Sequence, residues 1–368
     1  MSLATTASTR MDRARALLDE LALDALLVSR NANKRYLSGF VIARGDEATS
    51  GFSGTLLVTR DRQILLTDAR YLVQAADESP GWDVRRTQGR FAGEVGSLLT
   101  ELAVHRCGAE ATVLSHADWA ALTDATHAEL LAIDAPLNAL RLRKDVGEVD
   151  AIARAADLTD RCFAHLCDWL RLGIAEQEVA WEIERWFRDN GAEALAFDPI
   201  VLVGARAAMP HGRPSDVAVT AGEPLLIDFG CQVDGYRSDM TRTLFVGAAS
   251  KRQRQLYDVV LAAQQAAYDA LRPGVIGTTV DDAAREVIAA AGYGDAFSHG
   301  LGHGIGLETH EAPMLLTYDR PLEAGMVLTL EPGIYLAGEI GIRIEDDVAL
   351  TDDGPRRLTS APRELIVI

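Results

Sequence analysis

The order helix, helix, hairpin is predicted twice after residue 146, and this repeat constrains the fold more than any other feature of the sequence. Each copy begins with two amphipathic helical patterns that end at glycine or Pro-Gly, and each continues into strand-like apolar runs. The patterns span residues 146–172, 175–190, 199–203, 225–229 and 241–246 in the first copy and residues 251–271, 280–291, 327–330 and 341–344 in the second. We therefore expect a pseudo-duplicated α+β unit, whose halves can each place one pair of side chains at the centre.

A different pattern precedes the basic segment at residues 141–145. Short apolar runs alternate there with helical patterns, as is typical of an α/β domain. The runs cover residues 25–28, 54–58 and 63–67, and the helical patterns cover residues 11–23, 91–104 and 117–131. Because 368 residues also exceed one comfortable core, we expect an α/β domain over residues 1–140 and the α+β domain over residues 141–368.

The composition excludes several function classes. The chain has 36 basic and 54 acidic side chains and a net charge of −18, which disfavours nucleic acid and anionic membranes as partners. No apolar signal segment opens the sequence, and no run has the length of a membrane span. The four cysteines lack CxxC spacing and are expected to be reduced, mostly buried thiols. We therefore expect a cytoplasmic protein.

Two carboxylates lie in the strand-like surroundings of the first hairpin. Asp234-Gly235 favours a tight turn in which both residues have positive φ, and a turn there pairs position 230 with position 239. Asp228 then shares a face with Asp239, because residues two apart on a strand point the same way. Either aspartate alone is more typical of a turn. Two like charges side by side repel and lose hydration, so the pair indicates a cation between them.

The second hairpin repeats this arrangement with glutamates. A three-residue loop around Gly338 sets Glu331 opposite Glu345, and both glutamates interrupt apolar strands. An uncompensated buried charge there costs several kcal/mol. A lone Glu-Pro-Gly is more typical of a strand end. Two acidic pairs in matching places of two matching halves favour a cation site.

Histidine offers a further donor. Three of the eight histidines, His299, His303 and His310, lie in a segment that has glycine at positions 300, 302, 304 and 306. Glycine at this density disfavours a helix and lets the backbone approach a site closely. The alternative interpretation is that these are polar loop residues.

Four carboxylates and one imidazole form an oxygen-rich donor set that suits two divalent ions. Mn²⁺ or Co²⁺ fits such donors better than a structural zinc does, although Zn²⁺ also binds them. Two ions about 3.5 Å apart share a hydroxide and polarise a carbonyl beside it. The predicted chemistry is hydrolysis.

Together these residues resemble the pita-bread metallopeptidases of family M24B, the aminopeptidase P and prolidase branch, whose members cleave the bond before proline. The resemblance runs from about Leu140 to the C-terminus. Segments 33–40 and 66–71 are similar, more weakly, to the creatinase-like N-terminal domain of that branch. The resemblance implies an α/β creatinase-like domain followed by an α+β pita-bread catalytic domain.

The resemblance also implies a metal-ligand set and two bridging carboxylates. The family's five ligands fall on Asp228, Asp239, His303, Glu331 and Glu345. Asp239 and Glu345 are the implied bridges between two divalent ions, for which Mn²⁺ is the first expectation and Co²⁺ or Zn²⁺ the alternatives.

Further residues are implied around the metals. His211, within Met209-Pro210-His211-Gly212, resembles the histidine that faces the scissile bond, and His310 resembles the histidine that steadies the tetrahedral intermediate. Glu331 is also the implied proton shuttle. Arg343 resembles an arginine that pairs with an acidic group and orients the metal shell, and His299 a histidine close behind the site.

One departure from the family pattern bears on substrate length. Many members read His-Glu-x-Pro-Arg, and prolidases use an arginine in this region to hold the free carboxylate of a dipeptide, whereas this chain has Met314. Methionine cannot pair with a carboxylate. The prediction is therefore an Xaa-Pro aminopeptidase that uses a metal-bridging hydroxide. The alternative is an Xaa-Pro dipeptidase with another carboxylate anchor, for which Arg35, Arg44 and Arg320 are the candidates.

Three other protein classes fit the sequence less well. Creatinase-like amidinohydrolases and non-catalytic pita-bread binding proteins have lost part of the metal shell, which is intact here. Methionine aminopeptidases usually lack a large N-terminal domain. The resemblance further implies short proline-containing peptides as substrates and a homodimer, with surface residues such as Arg35, Tyr36, Arg70 and Tyr71 limiting access to the cleft.

Overall fold

The computed structural model describes residues 3–42 and 53–368. Arg44, one of the candidate substrate-binding residues, lies outside these ranges. The chain divides into two compact units, Met1–Arg141 and Leu142–Ile368. Among the helices of the described ranges, none combines the length and the apolar character that crossing a bilayer requires.

The described part of the N-terminal unit contains six helices and six strands. They are α1 (Leu3–Glu20), β1 (Ala25–Val28), α2 (Asn31–Ser38), β2 (Thr55–Val58), β3 (Gln63–Thr67), α3 (Leu72–Glu78), β4 (Asp83–Arg86), α4 (Phe91–Glu101), β5 (Arg106–Ala109), α5 (His116–Ala125), β6 (Glu129–Ala132) and α6 (Asp134–Ala139). The strands form one mixed sheet in the order β4-β3-β2-β1-β5-β6. Strands β1 and β2 are buried along their whole length, which explains their continuous apolar sequences. The predicted α/β character is confirmed.

Some details of this unit differ from the prediction. The helical pattern at residues 117–131 contains a helix that ends at Ala125 and a separate strand, β6. Strands β4 and β6 form the two edges of the sheet and are partly exposed, so they lack the continuous apolar run that reveals a buried strand. Strand β5 was not predicted either.

Tyr36 and Tyr71, expected on the surface, are buried. The Tyr36 hydroxyl accepts a hydrogen bond from Arg13 and donates one to the Leu140 carbonyl, and the Tyr71 ring packs edge-on against Phe40. These partners lie far away in sequence, so the surface assignment failed because local sequence carries no sign of them.

The C-terminal unit contains four long helices and thirteen strands, all within its described residues. They are α7 (Val146–Trp169), α8 (Glu176–Asp189), β7 (Ala194–Leu195), β8 (Ile200–Val203), β9 (Pro224–Phe229), β10 (Cys231–Val233), β11 (Tyr236–Arg237), β12 (Met240–Phe245), α9 (Lys251–Ala270), α10 (Gly277–Ala290), β13 (His303–Gly304), β14 (Glu311–Met314), β15 (Val327–Leu330), β16 (Gly333–Leu336), β17 (Ile340–Arg343), β18 (Asp346–Thr351) and β19 (Gly354–Arg357). The predicted order helix, helix, hairpin occurs in both halves.

Each half of this unit has its own apolar core. Helices α7 and α8 pack against the strands of the first half, and helices α9 and α10 pack against β15 to β18. The sheets are β12-β9-β8, β11-β10-β7, β14-β13-β15-β18-β19 and β16-β17. Three of the four cysteines are buried and all four are free thiols, as predicted.

The first hairpin has the predicted register. Met240 pairs with Phe229, and Tyr236 pairs with Val233 beyond a break in the ladder. Both pairs belong to the one register that sets position 239 opposite position 230. At the turn, φ is +50° for Asp234 and +83° for Gly235, as the predicted turn requires. The ladder is interrupted where Asp239 lies.

The second hairpin also has the predicted register. Leu330 pairs with Asp346, and Gly333 pairs with Arg343. These pairs set position 331 opposite position 345. The interruption between the two ladders falls at these two glutamate positions, as the interruption of the first hairpin falls at Asp239, whereas Asp228 stays paired with Thr241.

Candidate metal centre and active site

Carboxylates from both hairpins meet in one cluster. Ligand atoms of Asp239, His303 and Glu345 all lie within 4.8 Å of one another. His303 Nε2 lies 3.4 Å from Glu331 Oε1 and 3.8 Å from Asp239 Oδ2. Asp228 joins them electrostatically, because its charge raises the pKa of both Asp239 and Glu345. We call these five residues the acidic cluster.

Three carboxylates of the acidic cluster have raised pKa values. Burial, followed by repulsion from Glu345, raises the pKa of Asp239 and of Glu331 well above their ordinary values. Burial and the charge of Asp228 raise the pKa of Glu345 to about 8. Oδ1 of Asp228 is buried and has no hydrogen-bond partner among the described residues. Crowded carboxylates with an orphaned oxygen are a donor set that divalent cations fit.

His303 is held in the form that a metal requires. Burial lowers its pKa to about 3, so the imidazole is neutral. Nδ1 lies 3.1 Å from the Gly304 carbonyl oxygen, which can only accept, so Nδ1 carries the proton and Nε2 presents a lone pair to the carboxylates.

The glycines around His303 allow a close approach of backbone. A Cβ on Gly302 would lie 2.0 Å from the Thr329 carbonyl oxygen, and one on Gly304 would lie 2.2 Å from the Ala312 carbonyl oxygen. Any larger residue would push the histidine segment away from β14 and β15. The expectation of close backbone approach without a helix is confirmed.

The Arg343 guanidinium holds residues of the acidic cluster in place through hydrogen bonds. Its Nη2 donates to Asp228 Oδ2 at 2.6 Å, its Nη1 to the Tyr335 hydroxyl at 2.9 Å and its Nε to Thr241 Oγ1 at 3.0 Å. Thr241 in turn donates to Glu345 Oε2 at 2.6 Å. One guanidinium therefore fixes a carboxylate from each hairpin, because the Glu345 carboxylate is held through Thr241.

His299 ends the same chain of hydrogen bonds. Its Nδ1 lies 2.8 Å from the Gly300 carbonyl oxygen and its Nε2 lies 2.7 Å from the Tyr335 hydroxyl. Burial lowers the pKa of His299 to about 4, so the neutral ring accepts at Nε2 from Tyr335. His299 therefore contacts the tyrosine that supports Arg343, rather than the acidic cluster itself.

Two histidines lie on the other side of the cluster. The ring centroids of His310 and His303 are 4.3 Å apart. The pKa of His310 is lowered, chiefly by burial and further by the nearby charges of His211 and Arg237. His211 is exposed. The structure thus packs the His310 ring against the His303 ring, and the charge of His211 acts on His310.

The remaining predicted residues belong to other elements. Arg35 is in helix α2 of the N-terminal unit, and Met314 is in β14, where it pairs with His303 and is exposed. Arg320 is exposed in the loop after β14.

Three supporting residues were not predicted. They are Thr241, Tyr335 and Asp347, whose carboxylate accepts a hydrogen bond from the Asp239 main-chain N–H at 2.9 Å. Thr241 pairs with Asp228 in the register that the turn dictates, so the sequence could have revealed it. The run Glu345-Asp346-Asp347 within an apolar strand was a second visible signal. Tyr335 gave no sign before the hairpin was placed.

Comparison with known proteins agrees with this architecture. The model of metallopeptidase family M24 matches residues 150–352, and that of the creatinase/prolidase N-terminal domain matches residues 10–143. An Xaa-Pro dipeptidase of Pyrococcus furiosus is 35% identical over 97% of this chain and 99% of its own length.

Solved structures show the same likeness. An Xaa-Pro dipeptidase from Bacillus anthracis superposes with a TM-score of 0.93 at 36% identity, covering 98% of this chain and 100% of that chain. An X-Pro aminopeptidase from Thermotoga maritima has a TM-score of 0.87 at 36% identity, with the same coverage of both chains. With both domains matched and the pita-bread fold in place, this chain belongs to metallopeptidase family M24.

Proposed function

We propose that this metallopeptidase is an Xaa-Pro dipeptidase, which hydrolyses the bond between the two residues of a dipeptide that ends in proline. The observation that carries the hydrolase assignment is the acidic cluster, in which buried carboxylates from both hairpins face a neutral imidazole. Full-length similarity to proteins named Xaa-Pro dipeptidase favours the dipeptidase over the aminopeptidase that Met314 suggested.

We propose two divalent ions as the cofactor, Mn²⁺ in the first place and Co²⁺ or Zn²⁺ as alternatives. The proposed ligands are Asp228, Asp239, His303, Glu331 and Glu345. When bound, such ions lower the pKa of a water molecule and polarise the peptide carbonyl. Arg343 and Thr241 would keep the carboxylates oriented throughout.

Glu331 is the proposed proton carrier of the reaction. Its side chain is 17% exposed, against 12% for Asp228 and 6% for Asp239, so it is the most accessible of these three carboxylates. Its raised pKa suits a group that takes a proton from water and gives it to the prolyl nitrogen. That nitrogen carries no hydrogen before cleavage, so a peptidase that must grip an N–H would fail on this bond.

His310 and His211 are the proposed substrate-side groups. The lowered pKa of His310 keeps its ring neutral, and a neutral ring can donate one hydrogen bond to the oxygen of the tetrahedral intermediate. His211, which is exposed, would contact the group at the scissile bond.

A second candidate function is the Xaa-Pro aminopeptidase. Met314 and the likeness to the Thermotoga maritima X-Pro aminopeptidase favour it. We further propose that residues 1–140 limit access to short peptides, that residues 141–368 carry the chemistry, and that the protein is a homodimer.

The test uses protein supplied with Mn²⁺ and a matched pair of substrates, an Xaa-Pro dipeptide and the corresponding Xaa-Pro-Yaa tripeptide. The dipeptidase assignment predicts that the dipeptide is cut and that a Glu331→Gln variant cuts neither substrate. Cleavage of the tripeptide alone would establish the aminopeptidase instead. If wild-type protein cuts neither, the hydrolase assignment itself fails.

A further inference from the structure

The main-chain N–H of Asp239 differs from those of the other carboxylates in the acidic cluster. Asp228 pairs with a strand on each side, and the N–H groups of Glu331 and Glu345 donate to main-chain carbonyl oxygens. Asp239 lies at the interruption of its ladder, and its N–H donates instead to a side chain, Oδ2 of Asp347, at 2.9 Å. The backbone of one proposed bridging ligand therefore depends on a side chain for its hydrogen bond.

The peptide group between Ser238 and Asp239 is fixed at both ends. A Cβ on Gly230 would lie 1.9 Å from the Ser238 carbonyl oxygen, so this carbonyl packs directly on the glycine. The N–H of the same trans peptide group points the opposite way, towards Asp347 in strand β18. Because both ends of the peptide plane have a defined contact, the direction in which the Asp239 side chain leaves the backbone is defined as well.

Asp347 is an expensive residue to keep for stability alone. Its side chain is fully buried, and burial raises its pKa well above the ordinary value. Among the described residues its Oδ1 has no hydrogen-bond partner, whereas the neighbouring Asp346 lies 2.7 Å from Arg242. A buried carboxylate with one hydrogen bond costs folding free energy. The single contact that it makes, with the backbone of Asp239, therefore points to a role at the acidic cluster.

On the basis of the proposed two-ion cofactor, we propose that Asp347 is a positioning residue, whose hydrogen bond from the Asp239 main-chain N–H orients the Asp239 carboxylate towards the ions. Asp347 itself binds neither ion and contacts no substrate. Its contact joins the two halves of the C-terminal unit, because Asp239 belongs to the first hairpin and Asp347 to the strand that follows the second.

The test is a calorimetric titration of chelator-treated, full-length protein with Mn²⁺, followed by kinetics at saturating Mn²⁺. Asp347→Val and Asp347→Ala both remove the acceptor, the first at similar side-chain size. We expect each to weaken Mn²⁺ binding by roughly ten- to hundredfold, the usual effect of losing a hydrogen-bond partner of a metal ligand. Their kcat for an Xaa-Pro dipeptide should fall by about tenfold or more, while KM stays within about twofold of wild type.

Asp347→Asn tests whether the hydrogen bond alone is sufficient. Its amide oxygen can accept from the same N–H, so Mn²⁺ affinity and kcat should both stay within about threefold of wild type. Asp353→Asn changes an exposed carboxylate just beyond the end of β18 and is the matched control, which should alter neither quantity.

The outcomes separate this proposal from the proposed cofactor. If the Asp347 variants lower the urea midpoint but bind Mn²⁺ as wild type does, Asp347 only stabilises the fold and the positioning role is overturned, although the two-ion cofactor stands. If Asp347→Asn loses as much Mn²⁺ affinity as Asp347→Val, the hydrogen bond is not what matters, and the proposal again fails. Wild-type protein that binds no Mn²⁺ overturns both proposals.

Discussion

Two groups of buried charge meet at the neighbouring residues Glu345 and Asp346, and they differ in how far the chain itself compensates them. One is the Arg242 network, which we define as Arg242, Asp346 and Thr359. Arg242 Nη2 lies 2.7 Å from Asp346 Oδ1, and both side chains are 1% exposed. Thr359 also donates to Asp346.

The guanidinium of Arg242 has no unmet hydrogen-bond donors. Besides Asp346, it donates to the carbonyl oxygens of Thr241, Glu345, Ala361 and Pro362. These bonds use all five of its N–H groups. The chain itself therefore supplies every partner that this buried cation needs.

The acidic cluster adjoins this network at Glu345, directly before β18, and lacks such compensation. Glu345 directly precedes Asp346, yet it faces carboxylates, and burial together with the charge of Asp228 raises its pKa to about 8. A single guanidinium, Arg343, serves the whole cluster. The comparison teaches that the chain buries charge where its own groups match it, and it supports our proposal that bound cations match the acidic cluster.

The largest expected effect comes from a substitution in the Arg242 network. Arg242→Met removes the nearest cation of the buried Asp346, leaving Arg357 and Arg363 at 3.5 and 4.0 Å, and takes the donor from four carbonyl oxygens. The free energy of unfolding should therefore fall by about 3–5 kcal/mol. Urea unfolding measures this. The matched control, Arg252→Met, removes an exposed arginine and should change stability by less than about 0.5 kcal/mol. A loss below about 1 kcal/mol in Arg242→Met would contradict the account of this network.

Removing a carboxylate from the acidic cluster should instead lower the activity. Glu345→Gln is expected to lower kcat/KM by at least about a thousandfold, roughly 4 kcal/mol of transition-state stabilisation. Steady-state hydrolysis of an Xaa-Pro substrate with Mn²⁺ gives the value. Asp282→Asn, which changes an exposed carboxylate on helix α10, is the control and should keep full activity. Activity within tenfold of wild type in Glu345→Gln would remove Glu345 from the proposed ligand set.

The third prediction concerns the pH dependence of stability that His299 causes. Burial lowers its pKa to about 4, from 6.5 in the unfolded chain. The unfolded state therefore takes up a proton first, and stability present above pH 6.5 is lost as pH falls towards 4. A shift of this size corresponds to about 3 kcal/mol at full burial, and we expect about 2 kcal/mol because the side chain is partly exposed.

The measurement is the difference in unfolding free energy between pH 7 and pH 4 for wild type and for His299→Gln. The variant should lose about 2 kcal/mol less than wild type over this range. Equal losses in the two proteins would mean that the His299 ring is not held neutral in the folded state.

The smallest predicted effect is a gain in unfolding free energy, whereas the first prediction is a loss. With a chelator present, Asp239→Asn removes one of several repelling buried charges, so the unfolding free energy should rise by about 1 kcal/mol. Urea unfolding in EDTA checks this. A destabilisation of more than about 1 kcal/mol would show that Asp239 is compensated within the folded chain, as Asp346 is.

The register of both hairpins can be predicted from the sequence, because turn chemistry and loop length determine it. Asp234-Gly235 and the loop around Gly338 place four carboxylates without any knowledge of tertiary structure. The Arg242 network was out of reach, because its carbonyl partners at residues 361 and 362 lie about 120 positions away. Tyr335 could not be predicted for the same reason, because its partner His299 lies 36 positions away in the sequence.

The most direct test of the central claim is a calorimetric titration of chelator-treated protein with Mn²⁺. The account predicts two ions bound per chain in wild type and fewer in Asp239→Asn, because the carboxylate proposed to bridge the ions is then an amide. Arg252→Gln should bind as wild type does. Wild-type protein that binds no Mn²⁺, or an Asp239→Asn variant that binds two ions with unchanged affinity, would contradict the claim that the acidic cluster exists to hold cations.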